Sequence, residues 1–306
     1  MIHELKEKAL EQNIRFTAVP LNALSEVKAD IEKLAAENEL NAHQKAIISK
    51  RYIFDIAELD FTPRSIVVAI WRQNFAKAVF KYKGAETSCF VEDYSTHHKG
   101  QSGNIFLNRI FMDAGISLKY IGMVPQKLLA VRSGLSEYGR NNITYSSDWG
   151  SYARIGTYLS NIEPDEYTWR NTVNMARCKS CGLCIKNCPT KAILPERFLI
   201  DSELCLSRLN STDGEDMPGW IPESAHNSVY GCHRCQDICP ANKNRLKDIE
   251  KIIFEEEETE AILNAKTFTD FPKGTRVKLW YYNTGRGFSC IPRNLKLMLN
   301  NTGSIN

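Results

Sequence analysis

Apolar and polar positions along this chain follow two periods, one helical and one alternating or continuous over strand lengths. Residues 3–13 and 23–37 carry Leu, Ala, Lys and Glu at helical spacing and predict two helices. Phe16 to Val19, between them, predicts a short strand. Ser65-Ile-Val-Val-Ala-Ile-Trp71 follows a turn at Pro63 and predicts a buried strand. Lys77 to Tyr82 and Ser88 to Val91 predict two more. Residues 102–115 predict a helix with Ile105, Leu107, Ile110 and Phe111 on its apolar face and Gly115 as its stop. A shorter helix spans Lys127 to Arg132 and ends near Gly134, and Ala153 to Leu159 reads as a strand. Near the end, Glu255 to Leu263 predicts an acidic helix, and Ile291 to Leu299 a last helix opened by Pro292. Strands and helices mix through the first 165 residues, which predicts an α/β or α+β domain there.

Composition narrows the class. The chain has 306 residues, enough for about two domains. Hydrophobic residues make up 43% and charged residues 25%, which excludes a disordered, collagen-like or coiled-coil chain. A net charge of +3 is too small to argue by itself for nucleic acid or membrane binding. No stretch approaches the roughly 18 apolar residues of a membrane span. The start, MIHELKEKALEQNIRF, is interrupted by Glu4, Lys6, Glu7 and Lys8 and has no signal-like apolar core. A soluble, cytoplasmic protein is expected. In a reducing cytosol, clustered cysteines point to metal rather than to disulfides.

Cysteine is the departure from the average. There are ten, and eight of them lie from Cys178 to Cys239. Cys178-Lys-Ser-Cys-Gly-Leu-Cys-Ile-Lys-Asn-Cys-Pro189 has the C-x2-C-x2-C-x3-C-P spacing of bacterial ferredoxins. Three thiolates on a tight loop reach three irons of one cubane, and the fourth turns to the other cluster. Cys232-His-Arg-Cys-Gln-Asp-Ile-Cys239-Pro240 repeats the pattern one cysteine short, and Cys205 upstream can supply the missing ligand. By the crossover rule, one [4Fe–4S] cluster takes Cys178, Cys181, Cys184 and Cys239, and a second takes Cys188, Cys205, Cys232 and Cys235. Zinc sites use paired C-x2-C units and lack the triplet ending in C-P. Cys89 and Cys290 are left over and read as ordinary buried cysteines. His233, between two ligands, is expected to be exposed or to lie behind the ligands. The adjacent His97 and His98 read as a solvated loop more readily than as a metal site.

The module and its flanks resemble the epoxyqueuosine reductases. The residues that carry this are Cys178 to Pro189 followed by Thr-Lys-Ala-Ile193, then Ile200-Asp201 and Cys205, then Tyr230 to Pro240 and Asn242-Lys243. Upstream, Pro63-Arg-Ser-Ile-Val-Val-Ala69 and Asp93-Tyr94-Ser-Thr-His97 are similar to family segments. So is the block from Leu129 to Leu135 with Gly139-Arg-Asn-Asn142, Gly150-Ser151 and Ile155-Gly156. Its Gly-Leu-x3-Gly-Arg-Asn core also resembles the related reductive dehalogenases. Ile291-Pro-Arg-Asn-Leu295 is similar to the family's last helix.

The resemblance implies a cobalamin-dependent iron–sulfur oxidoreductase of queuosine biosynthesis, a tRNA modification. Electrons would pass through two [4Fe–4S] clusters to a cobalamin that reduces epoxyqueuosine in tRNA. A low-potential donor such as a flavodoxin or ferredoxin would supply them. The expected fold is α+β. An N-terminal α/β cobalamin- and substrate-binding reductase-like domain would cover 1–165, and a ferredoxin-like double [4Fe–4S] domain 166–248. A C-terminal helical segment, 249–306, would pack on the rest. Gly134, Leu135, Gly139, Arg140, Asn141, Gly150 and Ser151 would face the corrin or its tail, glycine allowing close backbone approach. The family's acid lies in an Asp-Ser-x-Pro segment before the Leu-Ala helix. Here that stretch reads Tyr120-Ile-Gly-Met-Val-Pro125, without an aspartate. Tyr120 falls near the acid's position, and a phenol, the acid of the dehalogenases, can donate a proton. The chain is also shorter than these reductases, basic residues are dispersed, and residues 255–258 are four glutamates, so no tRNA groove is evident from charge. Two other functions stay open: a non-catalytic electron-transfer protein on the same fold, and a cobalamin-dependent reductase of another small substrate.

Overall fold

The computed structural model describes residues 1–37, 40–55, 58–94, 102–164, 166–212, 216–246, 249–281 and 289–301. In chain order they form α1 (Ile2–Glu11), β1 (Ile14–Pro20), α2 (Ala23–Ala36), α3 (Ala42–Arg51), β2 (Ser65–Arg72), β3 (Asn74–Tyr82) and β4 (Ala85–Asp93). Next come α4 (Gly103–Asp113), β5 (Leu118–Tyr120), α5 (Gln126–Arg132), β6 (Glu137–Tyr138), β7 (Thr144–Tyr145) and β8 (Ala153–Ser160). The cysteine region contributes only short helices, α6 (Leu183–Asn187), α7 (Leu206–Leu209) and α8 (Arg234–Asp237). Strand β9 (Glu250–Phe254) and helices α9 (Glu256–Asn264), α10 (Lys273–Tyr281) and α11 (Ile291–Asn301) follow. The chain divides into two compact units, Met1–Gln73 with Lys99–Cys181, and Asn74–His98 with Gly182–Asn306.

The first unit is built on a four-stranded sheet of order β1-β2-β8-β5. Every pairing in it is antiparallel, from Ile14 opposite Trp71 to Ser65 opposite Ser160. Strands and helices that mix along the chain therefore give an α+β unit, not a parallel α/β one. Phe16, Ala18, Val67, Ala69 and Tyr158 share a core with Leu5 and Ala9 of α1 and Leu107, Ile110 and Phe111 of α4. The alternate residues Ile66, Val68 and Ile70 are equally buried, so the unbroken apolar run of β2 belongs to a strand covered on both faces. Helix α5 is fixed to α2 by Arg132. Its buried guanidinium donates to Asp30 Oδ2 at 2.9 Å and Glu26 Oε2 at 2.6 Å, and lies 4.5 Å over the Trp169 ring.

The second unit holds a sheet of order β4-β3-β9. The β3–β4 hairpin turns at Lys83-Gly84, both at positive φ (49° and 76°), as a two-residue turn matched to strand twist requires. Strand β9 then pairs in parallel with β3, Ala76 opposite Glu250 through Phe80 opposite Phe254. Phe80 and Phe254 stack at 4.8 Å, and Ile262, Phe271, Leu279, Ile291, Leu295, Met298 and Leu299 close the core around them. That pairing draws β3 and β4 into the unit of the C-terminal helices. The compact units thus cut across the boundaries expected at 165 and 248, and the division falls inside the first cysteine motif, after Cys181.

Three of the four glutamates are structural. Glu255 and Glu258 form a capping box on α9, and the Glu255 carboxylate takes Lys81 Nζ at 3.0 Å. Glu256 accepts the Lys83 amide at 2.8 Å, and Glu258 accepts Lys278 Nζ at 2.6 Å. Partial burial raises the Glu258 carboxyl, but the bonds from Lys278, the Glu255 amide and Thr275 outweigh it and hold the group below its ordinary 4.5. The ionised form is thus favoured in the fold. Its stabilisation is present above pH 4.5 and is lost as pH falls through the lower folded value. Glu258→Gln is expected to cost about 1 kcal/mol at pH 7. Urea titrations of variant and wild type should differ at pH 7 and converge in acid, and a pH-independent difference would refute the ionic account.

Candidate iron–sulfur and cofactor site

The cysteine region has little regular structure, and its few turns serve to aim side chains. Helix α6 carries Cys184, α7 begins directly after its N-cap Cys205, and α8 carries Cys235. Asn187 Nδ2 donates to Arg234 O at 2.7 Å and ties α6 to α8. Buried Cys188, Ala192 and Ile193 form a small nucleus, with Cys184, Cys205 and Cys235 packed against it beside Ile185, Ile200 and Leu204. Cys232 packs on Leu206, Leu209, Ile221 and Ala225. Its thiol is pushed up to about 11, first by burial and then by the nearby Cys205 and Cys188, with Arg234 opposing. Cys188 and Cys184 from the first motif therefore lie with Cys205 and Cys235, and Cys232 is near Cys188 and Cys205.

The donor set suits an iron–sulfur cluster. The buried Cys232 thiol resists ionisation on its own, and bound iron would supply the positive charge that holds it as a thiolate. Among the described residues, no three His, Cys, Asp or Glu side chains are grouped as a single metal ion would need. Cys178 and Cys181 are partly buried at and just after a 3-10 turn (Ala176–Lys179), with the Cys178 amide donating to Met175 O at 3.0 Å. Cys239 opens the turn Pro240–Asn242, held by Asn242 Nδ2 donating to Gln236 O at 2.8 Å.

The remaining candidates separate cleanly. His233 sits edge-on to Phe75 at 5.3 Å, and its Nδ1 is 3.4 Å from Gln236 Nε2. Burial lowers its pKa against Asp237 and Glu92, so it is a packed side chain. Cys89 and Cys290 are buried, and burial raises the Cys89 thiol to about 11. His97 and His98 lie outside the described residues.

The glycine block forms a tight hairpin. The Gly139 amide donates to Ile143 O at 2.8 Å and the Asn142 amide to Gly139 O at 2.9 Å, with β6 and β7 as the arms. Asn142 takes φ +58°, and Lys127 Nζ caps its carbonyl at 2.9 Å. Buried Asn141 donates to Tyr145 Oη at 2.9 Å and accepts from the Ile143 amide at 3.3 Å. A Cβ on Gly139 would stand 2.5 Å from the Tyr145 ring, so the hairpin itself demands glycine there. Gly134 is exposed at φ +79°, and a Cβ there would meet Thr168 at 3.1 Å. Leu135 and Arg140 are half-buried; Gly150, at φ +58°, and Ser151 are buried. Ser136 Oγ, inside the block, is buried without a hydrogen-bond partner.

Tyr120 is 51% exposed at the end of β5. Its ring meets that of Tyr158 edge-on at 5.6 Å, and Gln126 Nε2 lies 3.5 Å from its hydroxyl. Tyr158 is buried and donates to Asn104 Oδ1 at 2.8 Å, with burial and then Tyr120 raising its own pKa. Sequence reasoning missed Asn210 and Asn294, both buried side chains that tie loops of the cysteine region. Only the Pro-Arg-Asn run at the start of α11 signalled Asn294.

The cysteine region is an iron–sulfur module: residues 177–242 match the family described as 4Fe-4S double cluster binding domain. The chain is epoxyqueuosine reductase-like. It is 33% identical over 199 residues to the epoxyqueuosine reductase of Listeria monocytogenes, a match covering 61% of this chain and 50% of that one. To the Staphylococcus aureus enzyme it is 32% identical over 138 residues, 44% of this chain and 34% of the relative. The chain thus spans about half or less of the length of these curated relatives. Its fold is that of a crystal structure of epoxyqueuosine reductase with an epoxyqueuosine-modified tRNA-Tyr stem loop, at TM-score 0.71 and 20% identity, over 98% of this chain and 81% of that one. No described helix is long and apolar enough to cross a membrane.

Cys184→Ala is expected to remove an iron ligand and make one cluster labile. Iron and sulfide assays on anaerobically reconstituted protein should show less bound iron than wild type; unchanged iron would overturn the ligand assignment.

Proposed function

We propose that this chain is an oxidoreductase of the epoxyqueuosine reductase type, acting on epoxyqueuosine in tRNA in the cytoplasm with electrons from a low-potential flavodoxin or ferredoxin. The observation that supports this reading is the packing of Cys184, Cys188, Cys205 and Cys235 around one small nucleus, with Cys232 near Cys188 and Cys205, in a chain with that fold. Cys188, Cys205, Cys232 and Cys235 would hold one [4Fe–4S] cluster, and Cys178, Cys181, Cys184 and Cys239 the other. When bound, the clusters supply electrons singly, and a cobalamin would supply the centre that delivers them to substrate.

The glycine block fits a corrinoid in part. Gly134, Leu135 and Arg140 keep exposed surface, and Ser136, next to Leu135 in the chain, has a buried hydroxyl without a partner. Gly150 and Ser151 would shape the backbone beside them. Gly139 and Asn141 would act by holding the hairpin, since the Asn141 amide is engaged with Tyr145 and Ile143. Tyr120 would hold the proton at its hydroxyl, with Gln126 as the neighbour that orients it.

A second reading, electron transfer without substrate chemistry, is favoured by one observation: no aspartate lies from Ala114 to Ser147, the stretch where the family's acid is expected. Reconstitution with iron, sulfide and cobalamin separates the two. The reductase reading expects cluster absorbance plus a cobalt EPR signal that survives desalting; cluster absorbance alone would favour the carrier. Tyr120→Phe should retain clusters and corrinoid but lose turnover of modified tRNA by roughly 100-fold or more, the usual worth of a general acid. Full activity would dismiss Tyr120 as the acid.

A further inference from the structure

We propose that Arg293 and Asn294 of α11 are positioning residues for the cluster of Cys188, Cys205, Cys232 and Cys235, and that they set the separation of Cys205 from Cys232. The inference rests on reading those four cysteines as ligands. Asn294 is 1% exposed, on a helix whose other buried residues are Ile291, Leu295, Met298 and Leu299. A polar side chain in that company is costly unless its donors are used. Both N–H bonds of its amide are used: Nδ2 donates to Asn210 O at 2.8 Å and to Val229 O at 3.0 Å. The neighbouring Arg293 Nη2 donates to Leu209 O at 3.0 Å.

The accepting carbonyls lie on the two arms that carry ligands. Leu209 and Asn210 end α7, and the Leu209 amide returns to the carbonyl of Cys205 at 3.2 Å. Val229 leads through Tyr230 and Gly231 into Cys232. Asn210 completes the tie, its Nδ2 donating to Gly231 O at 2.8 Å. Ser228 Oγ braces the second arm by donating to Tyr230 O at 2.7 Å. One short stretch of α11 thus holds two loop segments that no strand pairing joins. A constellation of ligands tolerates about 0.5 Å of slack, and hydrogen bonds around a cluster also set its potential.

The test is Asn294→Asp, which keeps the shape, removes both N–H donors and sets a carboxylate oxygen against two carbonyls. Reconstituted wild type, Asn294→Asp, Arg293→Ala, and two references, Cys232→Ala and Cys184→Ala, are compared by iron content, EPR of the reduced state and far-UV circular dichroism. Asn294→Asp should fold, bind about half the wild-type iron and show the residual EPR signal of Cys232→Ala, not that of Cys184→Ala. Arg293→Ala should keep both clusters but shift the midpoint potential of that same cluster and speed its bleaching in air several-fold. Two clusters with wild-type signals and potentials in Asn294→Asp, or equal loss of both, would overturn the proposal while leaving the cluster reading intact. If Asn294→Asp does not fold, wild-type potentials and bleaching in Arg293→Ala overturn it instead. A wild type that takes up no iron would sink the proposed function and this inference together.

Discussion

Thiols from distant parts of the chain must be held together in an apolar patch, and the second unit is organised around that constraint. Cys188, Cys205, Cys232 and Cys235 span 48 residues of sequence, with only short helices between them. Local structure cannot hold such an arrangement, because helices of four or five residues are unstable alone. The arms are fixed by side-chain amides bonded to main-chain carbonyls: Asn187 to Arg234, Asn210 to Gly231, Asn294 to Asn210 and Val229. Those amides need a rigid base, and α11 has one in its packing against Phe254 and Ile262. The core of β3, β9 and the C-terminal helices is therefore the support of the cysteine region. This explains why a chain with an ordinary composition places so much of its apolar surface far in sequence from its chemistry.

Charge follows the same logic. The acidic run at 255–258 looks in isolation like a surface that repels nucleic acid. In the fold its residues cap α9 and pair with Lys81 and Lys278, so three of the four glutamates are spent on joining β3, α9 and α10. Local net charge read along the sequence consequently says little about whether RNA could approach this surface.

The strongest parts of the fold were legible because burial on both faces leaves an unmistakable apolar run, as in β2, and because α1, α2 and α4 have clear apolar stripes. Helix α3 was not, since it buries no residue and shows itself only in the Asn41–Gln44 capping box. Strand β9 was hidden as well: its five residues form a strand through a parallel partner some 170 positions upstream, which no local pattern records. The cysteine spacing identified the chemistry, because cluster ligation is a local constraint on three of the four thiols. Of the buried asparagines that tie the arms, Asn294 was signalled only by its Pro-Arg-Asn run and Asn210 not at all, because an asparagine reads as a turn residue until its partners are known.

The block around Gly139 shows where resemblance and physics part company. Resemblance assigns its glycines and Asn141 to a corrinoid. The fold gives Gly139 and Asn141 a sufficient reason of their own, since Tyr145 fills the space a side chain would need and takes the Asn141 amide. A residue explained by packing can still shape a site, but it contributes by fixing a backbone and not by direct contact. The position not explained this way, Ser136 with its unpartnered hydroxyl, is where a ligand would have something to satisfy. By that argument the hairpin would be the frame of a cofactor bound here, and a direct contact would lie at its entrance from α5, beside Leu135.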